Sequence, residues 1–167
     1  MPKRCQLFCP KLMISVGHTY EGGFPTPFYN LKWLKLDLPY GDRYTCHYRE
    51  PYNINNLLER FPNLETLVID ICDPMSFNRY IEDWKTETLQ FSMHHLKSVA
   101  VRAFSGRSNE VGLLKFLLDG AVVLEKAVIA TTSVRSLTDH EKLLLKKIIE
   151  EIKSNPQASS YAEILFK

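Results

Sequence analysis

A short apolar pattern recurs along the chain and constrains its fold more than any other feature. Apolar residues occupy positions 1, 4 and 6 of a hexad, and the pattern is clearest in four segments: NLKWLKL, NLETLVI, HLKSVAV and VLEKAVI. The hexads in these segments start at residues 31, 64, 96 and 124, and weaker copies start at residues 9 and 161. Positions 4 and 6 alternate with the period of a β-strand, so each copy predicts a short strand with one apolar face.

A single strand of this kind cannot bury its apolar face alone, so the copies are expected to stack side by side. Parallel strands need long crossover connections, and successive hexads start 22 to 37 residues apart, which leaves room for them. Leucine-rich repeats, at about 20–29 residues each, are the nearest regular architecture. We therefore predict an α/β, leucine-rich-repeat-like solenoid, with a parallel sheet of about six short strands and return helices on one side.

The segments between the hexads carry helical signals. The predicted helices cover residues 54–61, 73–84, 108–120 and 138–155. Ser108 or Asn109 is the predicted N-cap of the third helix. In the last helix, Thr138 and Glu141 have the spacing of a capping box. The predicted apolar side of this last helix consists of Leu144, Leu145, Ile148, Ile149 and Ile152.

The composition is that of a folded domain rather than of a disordered or low-complexity chain. Of the 167 residues, 45% are hydrophobic and 24% are charged. Lysine and arginine number 21 against 19 aspartate and glutamate residues, and both signs occur along the repeat strands, so nucleic acid is not an expected partner. No apolar run approaches the roughly 18 residues of a membrane span, so no membrane partner is expected either.

The four cysteines form no recognisable metal or disulfide pattern, because they are few and irregularly spaced. No pair has the C-x-x-C spacing, and the sequence contains no N-x-Ser/Thr glycosylation site. We therefore expect an intracellular location, cytoplasmic or nuclear.

The sequence contains few candidates for catalytic residues. Cys72 is a candidate nucleophile, but Asp70 and Asp73 beside it would raise the pKa of its thiol and oppose activation. We expect Cys72 to be a buried packing residue, and a small cysteine-dependent enzyme is the alternative function. The pair His94-His95 is assigned to a loop, since adjacent strand residues point to opposite faces and could not share a metal ion. The sequence lacks the common nucleotide, metal and hydrolase motifs, so we predict no catalytic residue, no metal and no cofactor.

The segment HLKSVAVRAFSGRSNEVGLLKFLLDGAVVLEKAVI, residues 95–129, resembles the FBD domain of plant F-box/FBD/leucine-rich-repeat proteins. The shared pattern is a short strand, a glycine-containing turn, a helix that ends in LLxxAxVLEK, and a second strand. The similarity continues through the last helix and the segment SSYAEILF, while FYNLKWLKLDL and LLERFPNLETLVI resemble the preceding repeats. The resemblance implies an irregular leucine-rich-repeat region at 1–92 and an FBD-like region at 93–167, in one continuous structural domain.

The resemblance also implies a function. It indicates a protein-binding scaffold, the substrate-recognition part of an F-box ubiquitin-ligase adaptor, with a protein partner of unknown identity. Family members usually carry an F-box that docks on the Skp–cullin core, and no such segment is visible here, so binding of a Skp-type adaptor is in doubt. A truncated paralogue with no independent function is a further alternative.

The outward side of the predicted strands is the candidate binding surface. If positions 4 and 6 of each hexad point inward, positions 3, 5 and 7 point outward. Position 5 then forms an apolar stripe between polar rows, which is either an interaction surface or an ordinary β surface. Trp33 is a natural anchor for a partner, and Arg102 can bind a carboxylate in bidentate fashion. The predicted partner-binding residues are Trp33, Lys35, Asp37, Val68, Asp70, Ala100, Arg102 and Val128.

Overall fold

The computed structural model of the chain describes residues 11–15, 27–38, 57–71, 92–133, 137–155 and 159–167. The predicted helix at 73–84 and Cys72 lie outside these ranges. Of the predicted helix at 54–61, residues 57–61 are described, and among them Leu57 and Leu58 are helical whereas residues 59–61 are not. The strands are β1 (Lys11–Ser15), β2 (Trp33–Leu38), β3 (Thr66–Ile71), β4 (Ser98–Phe104), β5 (Lys126–Thr131) and β6 (Glu163–Phe166). Helix α1 (Ser108–Gly120) joins β4 to β5, and helix α2 (Asp139–Ser154) precedes β6.

The described strands form one six-stranded parallel sheet in which the strands follow chain order. Its register matches the sequence repeat, because position 3 of every hexad lies beside position 3 of the next. The aligned residues are Lys11, Trp33, Thr66, Ser98, Lys126 and Glu163. The structure thus confirms an α/β fold with a parallel sheet and helical connections, and it confirms the alignment of all six hexads.

The same backbone contacts recur in front of successive strands. The carbonyl of Lys32 accepts hydrogen bonds from the N–H groups of Glu65 and Thr66, at 3.0 and 2.9 Å. The carbonyls of Glu65 and Lys97 each accept two bonds from the start of the next hexad in the same way, at 2.8 to 3.1 Å. The backbone polar groups that precede the strands are therefore satisfied by the neighbouring unit, as buried or half-buried groups require.

The hydrophobic core lies on the face formed by hexad positions 4 and 6. In β2 to β5 these side chains are all at most 2% exposed: Leu34, Leu36, Leu67, Ile69, Val99, Val101, Ala127 and Ile129. Both described helices pack on this side, α1 through Leu113, Leu114, Leu117 and Leu118, and α2 through Leu145 and Ile152. In β2, and in β4 up to its bulge, buried residues alternate with more exposed ones, which is the period-2 pattern that the sequence predicted.

A β-bulge in β4 departs from this regular pattern. The register between β4 and β5 shifts between Val101 and Phe104, and Ala103 adopts a positive φ of 59°. One extra residue reverses the alternation of side chains, so Phe104 points into the core and is fully buried. Its ring lies 6.4 Å from the ring of Phe166 on β6. The bulge therefore directs the Phe104 ring into the core, beside the Phe166 ring of β6.

Helices α1 and α2 begin in different ways. In α2 the predicted capping box is confirmed: the Glu141 N–H donates to the Thr138 hydroxyl at 3.3 Å, and the Thr138 N–H donates to the Glu141 carboxylate at 2.7 Å. The predicted cap of α1 at Ser108 or Asn109 is wrong, since Arg107 occupies the N-cap position and makes no side-chain cap bond. Glu110, in the first turn of α1, instead accepts hydrogen bonds from backbone N–H groups of the loop before the helix.

Glu110 is a carboxylate that is only 1% exposed. It lies in the first turn of α1 and reaches back to the loop before the helix. Its carboxylate accepts from the N–H of Ser105 at 2.6 Å, from the N–H of Gly106 at 2.9 Å and from the Ser105 hydroxyl at 2.7 Å. Burial of this charged group is possible because donors surround it.

Two apolar assignments from the sequence are wrong. Tyr161, expected to point inward at position 1 of the last hexad, is 90% exposed. The turn before β6 lies one residue closer to its strand than the turns before β2, β3 and β5. Ala162, whose N–H donates to the Ser159 carbonyl at 3.4 Å, therefore packs on the core instead. Leu144 is exposed on α2, because the helix is centred on Leu145 and successive helical residues point about 100° apart.

Gly106 and Gly112 provide a matched pair of substitutions. Gly106 has φ +80°, and a Cβ atom there would lie 2.9 Å from Leu145 Cδ1 and 3.3 Å from Ile148 Cδ1. Gly106→Ala is therefore expected to lower the free energy of unfolding by about 1–3 kcal/mol. Gly112 lies inside α1 with open space around its Cα, so Gly112→Ala should raise it by about 0.5–1 kcal/mol. Denaturant unfolding of both variants tests this, and equal effects would contradict the described packing of α2 on Gly106.

Candidate functional site

The sheet face opposite the core is the candidate site, and we call it the outer face. It carries hexad positions 3, 5 and 7 of successive strands, brought into rows by the parallel register. The register places Lys35 beside Val68, Val68 beside Ala100, and Ala100 beside Val128. All the predicted partner-binding residues lie on this face: Trp33, Lys35, Asp37, Val68, Asp70, Ala100, Arg102 and Val128.

Val68 is less accessible than the sequence predicted. It lies on the outer face, as expected, but only 7% of its surface is exposed. Its register neighbours on the outer face are Lys35 on β2 and Ala100 on β4. Ala100, Val128 and Leu165 in the same row are half-buried. The apolar stripe is therefore real but shallow, and a partner would contact its β4 to β6 part more than its centre.

A charge cluster occupies one end of the outer face, formed by Lys35, Asp37, Asp70 and Arg102. The Lys35 ammonium lies 2.8 Å from Asp37 Oδ1 and 2.7 Å from Asp70 Oδ2. Arg102 Nε lies 3.5 Å from Asp70 Oδ1, and the Arg102 side chain is 60% exposed. The two carboxylates and two cations balance each other. The Arg102 side chain thus lies beside Asp70 and is largely exposed.

The Lys35 ammonium is expected to titrate above the ordinary lysine value. Hydrogen bonds to Asp37 and then to Asp70 raise the pKa of Lys35 from 10.5. Since folding raises this pKa, the stabilisation it brings is complete below about pH 10.5 and is lost as the pH rises through the folded-state pKa. Side-chain NMR titration of Lys35 should show the raised pKa, and Asp37→Asn or Asp70→Asn should each lower it. An unchanged pKa in both variants would contradict the cluster.

Trp33 opens β2 at the other end of the outer face, where it is half-buried and lies beside Thr66 of β3. An indole in this position combines a large apolar surface with an N–H donor.

Position 2 of successive hexads forms a row of alternating charges that was not predicted from the sequence. The row consists of Lys32, Glu65, Lys97 and Glu125. Lys32 lies 2.7 Å from Glu65, and this ion pair lowers the pKa of the Glu65 carboxyl. Reading position 2 of every hexad would have found the row.

The described residues were compared with the predictions for metal ligands and for the histidine pair. No group of three His, Cys, Asp or Glu side chains within them could hold a metal ion. His94 and His95 are exposed in the turn before β4, which confirms their assignment to a loop. A hollow between Phe61, Met93 and His95 has room for little more than a water molecule. Neither described helix is long and apolar enough to cross a membrane.

Comparisons with known proteins bear on the second half of the fold. Residues 90–129, which include β4, α1 and the first four residues of β5, match the FBD family. The chain is also 35% identical over 88 aligned residues to an Arabidopsis thaliana protein that is named as an F-box/LRR-repeat protein. That alignment covers 47% of this chain and 19% of the relative, so the chain spans a small part of the relative's length. No solved structure matches the chain. The two matches confirm the resemblance predicted from residues 95–129.

Proposed function

We propose that this chain, a member of the FBD-containing F-box/LRR-repeat family, is a protein-binding module that recognises its partner through the outer face. The observation that carries the proposal is the arrangement of that face. It is a continuous surface across parallel strands, whereas α1 and α2 both pack on the opposite side. Stacked repeats use such extended surfaces for binding.

The chemistry of the outer face fits a protein partner. Trp33 supplies an aromatic contact, the row through Ala100 and Val128 supplies shallow apolar area, and Arg102 supplies an exposed cation. Aromatic residues and arginine are enriched among the residues that dominate interface energies. The balanced charge cluster would favour a partner that combines apolar area with a carboxylate placed to meet Arg102.

The proposal extends to the architecture and to the role in the cell. The recurring turn–strand unit supports a leucine-rich-repeat-type solenoid, with 1–92 as the repeat region and 93–167 as the FBD-like region. Pairing of β3 with β4 across this boundary supports one continuous domain. The relative's name contains the term F-box, which supports the proposed role in substrate recognition for a ubiquitin ligase. We propose that the chain acts in this role in the cytoplasm or the nucleus.

Affinity capture with matched bait variants tests the proposed function. The 167-residue chain, Trp33→Ala and Arg102→Glu would be immobilised and exposed to plant extract, with circular dichroism used to verify each fold. Lys147→Glu, a charge reversal on the exposed side of α2, is the control. We expect the outer-face variants to recover at least about tenfold less of the principal partner than the wild type, and Lys147→Glu to recover it fully.

The outcomes of the capture test two proposals separately: binding through the outer face, and the role in a ubiquitin ligase. Loss of the partner with Lys147→Glu, and its retention with both outer-face variants, would place the site on the helical side and reject the proposal. Recovery of a Skp-type adaptor or a cullin together with the partner would support the ubiquitin-ligase role. Their absence from a capture that depends on Trp33 and Arg102 would reject that role and retain the binding module.

A further inference from the structure

Strand β6 forms one edge of the sheet and is less well covered than the strands inside it. Its core-facing residues Ile164 and Phe166 are half-buried, whereas Ala127 and Ile129, their register neighbours on β5, are fully buried. In the part of the chain that the structure describes, β6 pairs with β5 alone. An edge of this kind presents backbone donors and acceptors that another strand can pair with.

The hydrogen bonds to β5 show which backbone groups of β6 point outward. The N–H of Glu163 donates to the Glu125 carbonyl at 2.9 Å, and the N–H of Lys167 donates to the Ile129 carbonyl at 2.9 Å. Residues of a strand alternate in the direction of their backbone groups, so Glu163, Leu165 and Lys167 face β5. Ile164 and Phe166 therefore direct their N–H and carbonyl groups away from the sheet.

The sequence of this edge, Glu-Ile-Leu-Phe-Lys at 163–167, is complementary to itself in antiparallel orientation. With a two-fold axis at Leu165, Ile164 lies opposite Phe166 of the second copy, and the outward backbone groups of both meet in a hydrogen-bonded pair. Glu163 then lies opposite Lys167 of the second copy, at a position without backbone bonds, where side chains are closest. Other registers that join outward groups to outward groups would lose these charge pairs.

We propose that two copies of this chain associate through β6, antiparallel and centred on Leu165, to form one continuous sheet. The charges of the edge support this occupant, because among the described residues neither Glu163 nor Lys167 forms an ion pair within its own chain. Both charges are exposed and both find an opposite charge in the second copy. The dimer would present two outer faces on one surface, which would increase avidity for a repeated partner.

Cross-linking tests the position of the two-fold axis. In the proposed dimer the Cα atoms of the two Leu165 residues are about 4.5 Å apart, within the disulfide range. Leu165→Cys is expected to give a disulfide-linked dimer on mild oxidation, with residue 165 joined to itself in the linked peptide found by mass spectrometry. Glu163→Cys is the matched control, since its own counterpart lies about 13 Å away along the strands, and it should not link to itself.

Charge reversal tests the pairing in solution. Sedimentation equilibrium should show a monomer–dimer equilibrium for the 167-residue chain, and Glu163→Lys or Lys167→Glu should weaken it about tenfold by creating two like-charge pairs. The double variant restores opposite charges and should recover dimerisation to within about threefold of the wild type. Thermal unfolding of each variant verifies that the monomer fold is kept.

Three results would overturn the proposal. The first is a chain that stays monomeric at all concentrations up to about 0.5 mM, well above the roughly micromolar range of a weak specific dimer. The second is a dimer whose dissociation constant is unaffected by either single reversal, which would place the interface elsewhere. The third is a monomeric chain whose β6 edge becomes protected from amide exchange only with an added extended peptide, which would assign the edge to a different strand.

Discussion

Replacing Leu67 with Ala is expected to lower the free energy of unfolding by about 2–5 kcal/mol, the range for removing a core leucine. Leu67 lies in β3, an inner strand, and none of its surface is exposed. The side chains of Leu34 and Val99 flank it at the same height in the neighbouring strands, so they cannot collapse easily into the space that it leaves. Denaturant unfolding monitored by circular dichroism measures the change as a shift of the midpoint at constant slope.

Thr66→Ala is the matched control for this substitution. Thr66 precedes Leu67 in the same strand but is half-buried and points to the outer face. Its replacement should change the free energy of unfolding by less than about 1 kcal/mol. A loss of less than about 0.5 kcal/mol for Leu67→Ala would contradict the placement of hexad position 4 in the core.

The hexad made most of the sheet predictable. Its apolar positions aligned all six strands in the register that the structure has, because a shift by one residue would turn Leu67 and Ile69 out of the core. The capping box of α2 was predictable for a similar reason, since Thr138 and Glu141 contact each other within one turn. In both cases a repeated or local pattern is sufficient to specify the contact.

Glu110→Ala is expected to lower the free energy of unfolding by about 2–4 kcal/mol. The buried carboxylate accepts from the backbone N–H groups of Ser105 and Gly106, and the alanine would leave both donors without their partner. An unsatisfied buried donor costs about 1–3 kcal/mol. The loop before α1 would also lose the group that holds it against the helix, so amide exchange of Gly106 should accelerate.

Glu110→Gln separates the loss of hydrogen bonds from the loss of charge. A glutamine carbonyl oxygen can take the place of Oε2, which accepts from both backbone groups, while its amide donates to the Ser105 hydroxyl. We expect this variant to lose less than half as much stability as the alanine. Equal losses in the two variants would show that charge, rather than the hydrogen bonds, holds the turn.

The features that escaped prediction depend on contacts outside the repeat. Glu110 resembles an ordinary surface glutamate of a first helical turn, but it is buried and accepts hydrogen bonds from Ser105 and Gly106 in the loop that follows the bulge. The burial of Val68 is a property of the folded outer face, which the sequence pattern of an outward position does not reveal. Tyr161 escaped because the turn before β6 lies one residue closer to its strand than the turns before β2, β3 and β5. Each difference arises where tertiary packing overrides a regular spacing.

Hydroxyl-radical footprinting of the chain, alone and bound to its captured partner, tests most directly that the outer face binds protein. The account predicts that oxidation of Trp33, Val128 and Leu165 falls on binding, while Leu143 and Leu144, exposed on the helical side, keep their rates. The partner must cover side chains on one face of the sheet, so the two groups should differ several-fold. Protection of Leu143 and Leu144, with unchanged oxidation of Trp33, would contradict the assignment.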